Sequence, residues 1–389
     1  METQGPARLH ALDNLRALMM WLGVVLHVAL IHTVHANPLP WRDPQRTIVA
    51  DIAWTAIHTF RMPAFFILAG FFVMMLLQSR GPKGLAEHRL ARLGAPIVVF
   101  WLPIVMACGL FAALYMHRMV RGTWGIDMSL VTPPPGVPVG PNLLHLWFVW
   151  MLLWMSLGTA VLAQFEGLRP LFTAAGAFLR RLATSWWGVL VLALPLQGAG
   201  WAYPNGILVS SGLFLPPFAE WLHYGTFFAF GAAAYTWRAE LFPVWERRWW
   251  VFAGLGLAAY LAAGAMMERR SPASDLAFVQ GCASWLWSFA AIGAALRFLP
   301  ASNKVLAYLS DSSYWVYILH LPLTIAFGCA LYALELPGLL KIALNIAATT
   351  VVCLVTYELW VRSTWVGELL NGRRRPSRFG PTPQGLATR

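Results

Sequence analysis

The chain has 389 residues, 59% of them hydrophobic and only 11% charged, with a mean hydropathy of +0.60. A soluble domain carries about 25% charged residues, so this composition excludes that class and points to an integral membrane protein. The formal net charge is +12. Its Lys and Arg residues gather in particular segments between apolar runs, a pattern of membrane orientation rather than of nucleic-acid binding.

Ten apolar runs have about the 20 residues needed to cross a bilayer. They fall near 12–34, 52–78, 94–116, 143–164 and 184–202, then near 215–237, 249–267, 277–299, 312–333 and 339–361. Pro195, Pro204, Pro216 and Pro217 blur the edges of the fifth and sixth. With the N-terminus assigned to the cytoplasm, 20 of the 28 Lys and Arg fall in cytoplasmic segments. Seven fall in outer loops (Arg42, Arg46, Arg118, Arg121, Arg269, Arg270 and Lys341), and Arg61 lies within a helix. The positive-inside rule then predicts an all-α, polytopic integral membrane bundle of about ten transmembrane helices, both termini cytoplasmic. Residues 1–370 form the membrane domain. Residues 371–389 read as a basic, disordered cytoplasmic tail with affinity for anionic lipid. Thr132–Pro141, TPPPGVPVGP, is predicted to be a stiff outer connector. The first run has no small-residue cleavage site and reads as a retained helix. No internal repeat of fixed period is visible, which counts against an inverted-repeat transporter.

The first run, LDNLRALMMWLGVVLH, carries Asp13, Arg16 and His27. At about 100° per residue His27 returns to within about 20° of Arg16, and Asp13 lies within about 60° of both, so the three share one stripe. A rise of about 1.5 Å per residue separates Arg16 from His27 by roughly 16 Å, placing them in opposite halves of the bilayer. Ionisable groups at such depth are functional candidates. In the second run, HTFRMPAFFILAGFF, His58 and Arg61 are neighbours on one face, with Pro63 loosening the backbone behind them. Arg61 either serves a site, or snorkels outward or pairs structurally with a helix end.

The segment after that run holds Lys83, His88, Arg89 and Arg92. It either sets topology or, with Arg16, forms a polyphosphate seat, because guanidinium forks match phosphate oxygens. In the fourth run, His145 and Trp147 of HLWFVW suit a carbohydrate, whose ring faces stack on indole. In the ninth, DSSYWVYILHLPLT, Tyr317 and His320 share a face with Tyr314 beside them. His320 is either a satisfied core histidine or part of a site. Glu358 reads as the structural partner of an Arg, and Asp13 as an orienting group. The 21 Trp suit interfacial belts. Cys108, Cys282, Cys329 and Cys353 show no paired spacing, and the histidines lack paired carboxylates, so neither disulfide nor metal is predicted.

These motifs together resemble one family. Arg16 and His27 match the R-x10-H signature of the membrane-bound acyltransferase-3 family, and FRMPAFFILAGFF resembles its second-helix motif, with Ala69 where many members have Ser. HLWFVW and YWVYILHLPLT are similar to its fourth-helix and late-helix motifs. LDNLRA, YGTFFAFGA and the HLPLT segment resemble the glucan biosynthesis protein C branch, succinyltransferases acting on osmoregulated periplasmic glucans. The resemblance covers about residues 9–365. It implies a multi-pass protein of the bacterial inner membrane that moves an acyl group, succinyl by preference, from cytoplasmic acyl-CoA to a glucan hydroxyl. On that basis Arg16, Arg89 and Arg92 would hold the donor's phosphates. His27, Arg61, Tyr317 and His320 would be catalytic, with His27 as general base, and His58, His145 and Trp147 would bind the acceptor. The implied partners are the acyl-CoA co-substrate, the periplasmic glucan and the lipid bilayer. A homo-oligomer is left open, and neither metal nor nucleic acid is expected. Two other readings use the same residues: acetyl transfer to lipopolysaccharide or exopolysaccharide, and a glucan or proton-coupled transporter relaying protons through Asp13, His27 and His320.

Overall fold

A computed structural model describes residues 5–37, 39–130, 141–203, 206–301 and 304–376. The predicted connector at 132–141 lies outside these residues save for Pro141. So do Pro204 and the tail beyond Pro376. Among the described residues the chain is all-helical, with no β-strand. Its α-helices are α1 (Gly5–Ile31), α2 (Ile48–Arg89), α3 (Ala95–Arg121), α4 (Trp147–Leu162), α5 (Arg169–Thr184) and α6 (Gly188–Gly200). They continue with α7 (Phe218–Thr236), α8 (Arg238–Glu268), α9 (Ala273–Phe298), α10 (Lys304–Leu331), α11 (Gly338–Thr356) and α12 (Trp365–Asn371). Among the described residues, seven helical stretches are long and apolar enough to cross a membrane, or eight if the bent α5–α6 pair counts as one.

Three departures from the sequence reading have local causes. The basic segment after the second run, which its position between two apolar runs marks as a loop, is helical, because α2 continues to Arg89. It breaks at Gly81, whose φ of 69° suits only glycine, and restarts on Pro82, a residue favoured at the first helical position. A π-helical turn, Leu90–Gly94, then leads into α3. The fifth run yields only the 13-residue α6, about 20 Å long and shorter than a bilayer core. Before it comes α5, bent 116° from α6. An apolar-run search misses α5 because it is amphipathic, with Arg169, Arg180 and Arg181 on the face opposite its apolar side chains. Lys341 is no loop cation. It is fully buried against Asp43.

The chain divides into two units. The first comprises Met1–Met19, Ala56–Leu90 and Trp147–Leu306. Lipid tails are as apolar as side chains, so helices here associate by close packing and by hydrogen bonds. Gly70 of α2 lies against the carbonyl of Phe228, and Gly231 of α7 against that of Ile67, so each glycine admits the other helix's backbone. Along α8 and α9, Gly256 meets the Trp287 indole and Gly293 the Trp245 backbone. Trp245 stacks on Phe289 at 5.0 Å, and Trp285 ties α9 to α6 by donating to Leu192 O at 2.9 Å.

The second unit comprises Met20–Thr55, Ala91–Leu146 and Ala307–Arg389. Its core holds a polar knot. Lys341 Nζ donates to both Asp43 carboxylate oxygens, at 3.0 and 2.9 Å, and to Tyr332 O at 3.2 Å. The neighbouring His32 donates from Nδ1 to Gln45 O at 3.0 Å. Burial pushes the His32 imidazole below its usual range, as does the Lys341 charge, while the Gln45 carbonyl and Asp43 pull it upward. Asn345 Nδ2 donates to Thr324 O at 3.0 Å, joining α11 to α10.

Candidate functional site

Within the second unit, α1, the turn before α4 and α10 bring three imidazoles and a phenol together. The His27 and His320 rings lie 5.1 Å apart, centre to centre. His145 meets His320 edge-on at 5.1 Å and Tyr317 at 5.2 Å. His320, His145 and Tyr317 are buried, and His27 is half-buried. The Tyr317 hydroxyl donates to the His145 carbonyl.

Backbone chemistry sets the tautomers. His320 Nδ1 lies 2.7 Å from Tyr317 O and 3.0 Å from Val316 O. A carbonyl only accepts, so Nδ1 carries the proton and Nε2 the lone pair of the neutral ring. His145 Nε2 lies 3.2 Å from Ile318 O and must be the donor there. Pro322 explains why that carbonyl takes a side chain. Lacking an N–H, proline leaves the carbonyl four residues earlier, that of Ile318, without its helical donor. His145 is itself presented by a strained turn. Leu144 has φ +49°, unusual for a residue with a β-carbon, and its N–H is held by Asn142 Oδ1 at 2.7 Å.

The first unit holds a second polar group. Arg61 is buried on α2, and its Nε donates to Met19 O at 2.6 Å, so its guanidinium does not reach outward. His58 Nε2 donates to Leu208 O at 3.0 Å. A cavity of about 30 Å³, roughly one water molecule's share of liquid volume, is lined by His58, Thr59, His223, Tyr224, Gln280 and Ser284 among others. Gln280 Nε2 donates to Thr59 Oγ1 at 2.6 Å. Trp147 packs beside the Phe66–Tyr224 stack, 4.9 Å from Tyr224 and 6.3 Å from Phe66, so it is a half-buried member of an aromatic cluster.

Arg16 pairs with Asp13 at 3.2 Å, lies 5.5 Å from the Phe72 ring centre and stays part-exposed. Arg16 and Arg89, in the same unit, feel each other's charge. Arg92 belongs to the other unit and donates to Glu368 O at 2.5 Å and Leu369 O at 3.0 Å, capping the carbonyl end of α12. Tyr314 donates to the Arg92 carbonyl at 3.1 Å. Glu358 pairs with Arg362 at 3.6 Å and accepts from Tyr308 at 3.3 Å.

The structure therefore gathers His27, His145, Tyr317 and His320, and separately His58 and Arg61. His145 and Trp147, close in sequence, serve different units. Sequence reasoning passed over His223 on α7 and the pair Gln280 and Ser284, four residues apart on α9, because nothing local to either helix brings His223 to that pair. It also passed over the Asp43–Lys341 knot, although a Lys inside an apolar run is a legible signal. Among the described residues no group of three or more His, Cys, Asp or Glu is arranged to hold a metal ion.

A family described as an acyltransferase domain matches residues 9–358. The chain is 24% identical over 385 residues to glucans biosynthesis protein C of Escherichia coli O139:H28, covering 94% of this chain and 95% of the relative. It shows the same identity and coverage to the protein of that name from Shigella dysenteriae serotype 1. No solved structure matches. With apolar helices enough for several crossings and a family match over nearly its whole length, this multi-pass membrane chain belongs to the acyltransferase-3 family.

Proposed function

We propose that the protein is an O-acyltransferase of the bacterial inner membrane, moving a succinyl group from cytoplasmic acyl-CoA to a hydroxyl of a periplasmic glucan. The observation that carries this reading is the cluster of His27, His145, His320 and Tyr317. Acyl transfer to a hydroxyl needs a base, and neutral imidazole is suited to that task near neutral pH. In the proposed step the glucan oxygen attacks the thioester carbonyl as His27 takes the hydroxyl proton. The C–S bond then breaks, the ester forms, and the proton passes to the departing CoA thiolate. His320, with its lone pair on Nε2, orients His27 or shares that proton, and Tyr317 holds His145 in place. Arg16, with Arg89, takes the donor's phosphates. Arg61, His58 and Trp147 serve the acceptor, Arg61 by way of the carbonyl it holds. The names of the 24%-identical relatives support the glucan as acceptor.

The topology belongs to the same proposal: about ten crossings, both termini cytoplasmic. The 74-residue stretch from Ile48 to Arg121 supports the higher count, because it is far longer than one crossing and is interrupted at Gly81 and Leu90–Gly94.

The test incubates purified protein with radiolabelled succinyl-CoA or acetyl-CoA and periplasmic glucan. Label is expected in the glucan from succinyl-CoA. Label from acetyl-CoA alone would move the reading to acetyl transfer, and no transfer from either donor would end it.

A further inference from the structure

A cleft between α8 and α9, on the first unit, takes no part in the groups described above. It encloses about 480 Å³ and is lined by Pro243, Glu246, Arg247, Trp249, Trp250 and Arg297. Trp249 is braced edge-on against Phe298 at 5.3 Å, while Trp250 is 64% exposed. Other arginines of this chain are matched to carboxylates, as in Arg180–Glu240 and Arg374–Glu368. Among the described residues, Arg247 and Arg297 form no hydrogen bond or ion pair, and both are exposed.

We propose that this cleft binds the phosphodiester headgroup of one anionic membrane phospholipid, whose acyl chains lie along α8. Two guanidinium forks supply directed donors for phosphate oxygens. Glu246 leaves the three charged side chains with a net charge of +1, matched to a single phosphodiester. Indoles favour the ester level of a bilayer, where an apolar ring meets a polar edge. The course of α8 selects a lipid over a free nucleotide. Its most apolar stretch is only 11% buried within the protein. Trp250, Leu257 and Leu261 recur at helical spacing, so they form one stripe, and they are 64%, 48% and 60% exposed. A soluble phosphate ester would use the arginines and indoles but leave that stripe bare. A lipid uses both.

The test is native mass spectrometry of the full chain in detergent, titrated with phosphatidylglycerol or with phosphatidylcholine of the same chains, and separately with adenosine 3′,5′-bisphosphate. Phosphatidylglycerol is expected to bind more tightly than phosphatidylcholine. Each of Arg247→Gln and Arg297→Gln should weaken it about fivefold, Glu246→Gln should tighten it, and the exposed Arg181→Gln should change nothing. Because Arg247 and Arg297 are exposed, the variants keep the native fold, which an unchanged elution volume verifies. Equal binding of the two lipids, or losses in Arg247→Gln and Arg297→Gln no larger than in Arg181→Gln, would overturn the proposal. So would a nucleotide that binds through both arginines and displaces the lipid.

Discussion

His27 and His320 stand ring to ring, 5.1 Å between centres, although they come from opposite ends of the chain. His320 is held by its own helix, with Nδ1–H directed to the Tyr317 and Val316 carbonyls. A ring so fixed keeps one nitrogen orientation, which is the pre-organisation that the proposed proton transfer would need.

The first prediction addresses the pair. His27→Ala should lower the transfer rate about 10²–10⁴-fold, leaving the yield of folded protein unchanged because the ring is half-buried. His320→Ala should also slow transfer, by a smaller factor. Rates above half of wild type in His27→Ala would remove it from the chemistry.

The second concerns Pro322. Pro322→Ala restores an N–H that can bond Ile318 O and so competes with His145 for that acceptor. The helix should become more stable while the site loosens. Transfer is expected to fall about 10- to 100-fold, with an equal or higher unfolding temperature. A variant both fast and more stable would show that the His145–Ile318 bond does not matter to the reaction.

The third rests on the buried ion pair. Lys341→Met leaves the Asp43 carboxylate buried without its counter-charge, a loss of about 3–5 kcal/mol. Adding Asp43→Asn should recover much of it, because no net charge then needs compensation. Thermal unfolding of the two singles and the double variant in one detergent measures the coupling. Additive losses would deny it.

The fourth follows from His32. Its imidazole is held below the ordinary value, chiefly by burial, so the folded protein binds a proton less readily than the unfolded chain. The contribution to stability is whole above about pH 6.5, the unperturbed histidine value, and declines as pH falls below it. His32→Gln should flatten that decline between pH 6.5 and 5. An unfolding temperature with the same pH slope in both proteins would assign the dependence to other groups.

The fifth contrasts glycines. Gly70→Val and Gly231→Val put side chains into the facing backbones of α7 and α2 and should abolish folded yield. Gly109 and Gly158 face open space, so Gly109→Ala and Gly158→Ala should be accepted and gain up to about 1 kcal/mol of helix propensity. Fluorescence size-exclusion chromatography of tagged variants separates the cases.

The contrast between readable and unreadable features has physical roots. Long apolar runs are legible one residue at a time, so α1, α3, α4 and α7 to α11 could be foreseen. By contrast, α5 is amphipathic, and its identity depends on the surface against which it lies. Gly81–Pro82 is a pair that can mark a turn, and here it ends one helical segment and starts the next. In the site, His27, His320 and Tyr317 stood out as polar groups in apolar helices. That His145 leaves Trp147 and joins them depends on an unusual φ at Leu144, which no residue preference announces. Arg92 stands among basic neighbours in the sequence, and its bonds to the carbonyls of α12, distant in sequence, are visible only in the fold.

The Asp43–Lys341 knot also constrains how the chain comes into being. Asp43 lies just beyond α1 and leaves the ribosome early, whereas Lys341 sits in α11, about 300 residues later at a rate near 5–20 residues per second. For tens of seconds the carboxylate has no buried partner and must wait hydrated at the membrane edge. The two charges can enter the protein interior only together, after α11 arrives. Helix α11 is thus the latch of assembly: a chain truncated before Lys341 would retain a charge where the finished protein holds a neutral pair, giving quality-control proteases a chemical mark of incompleteness.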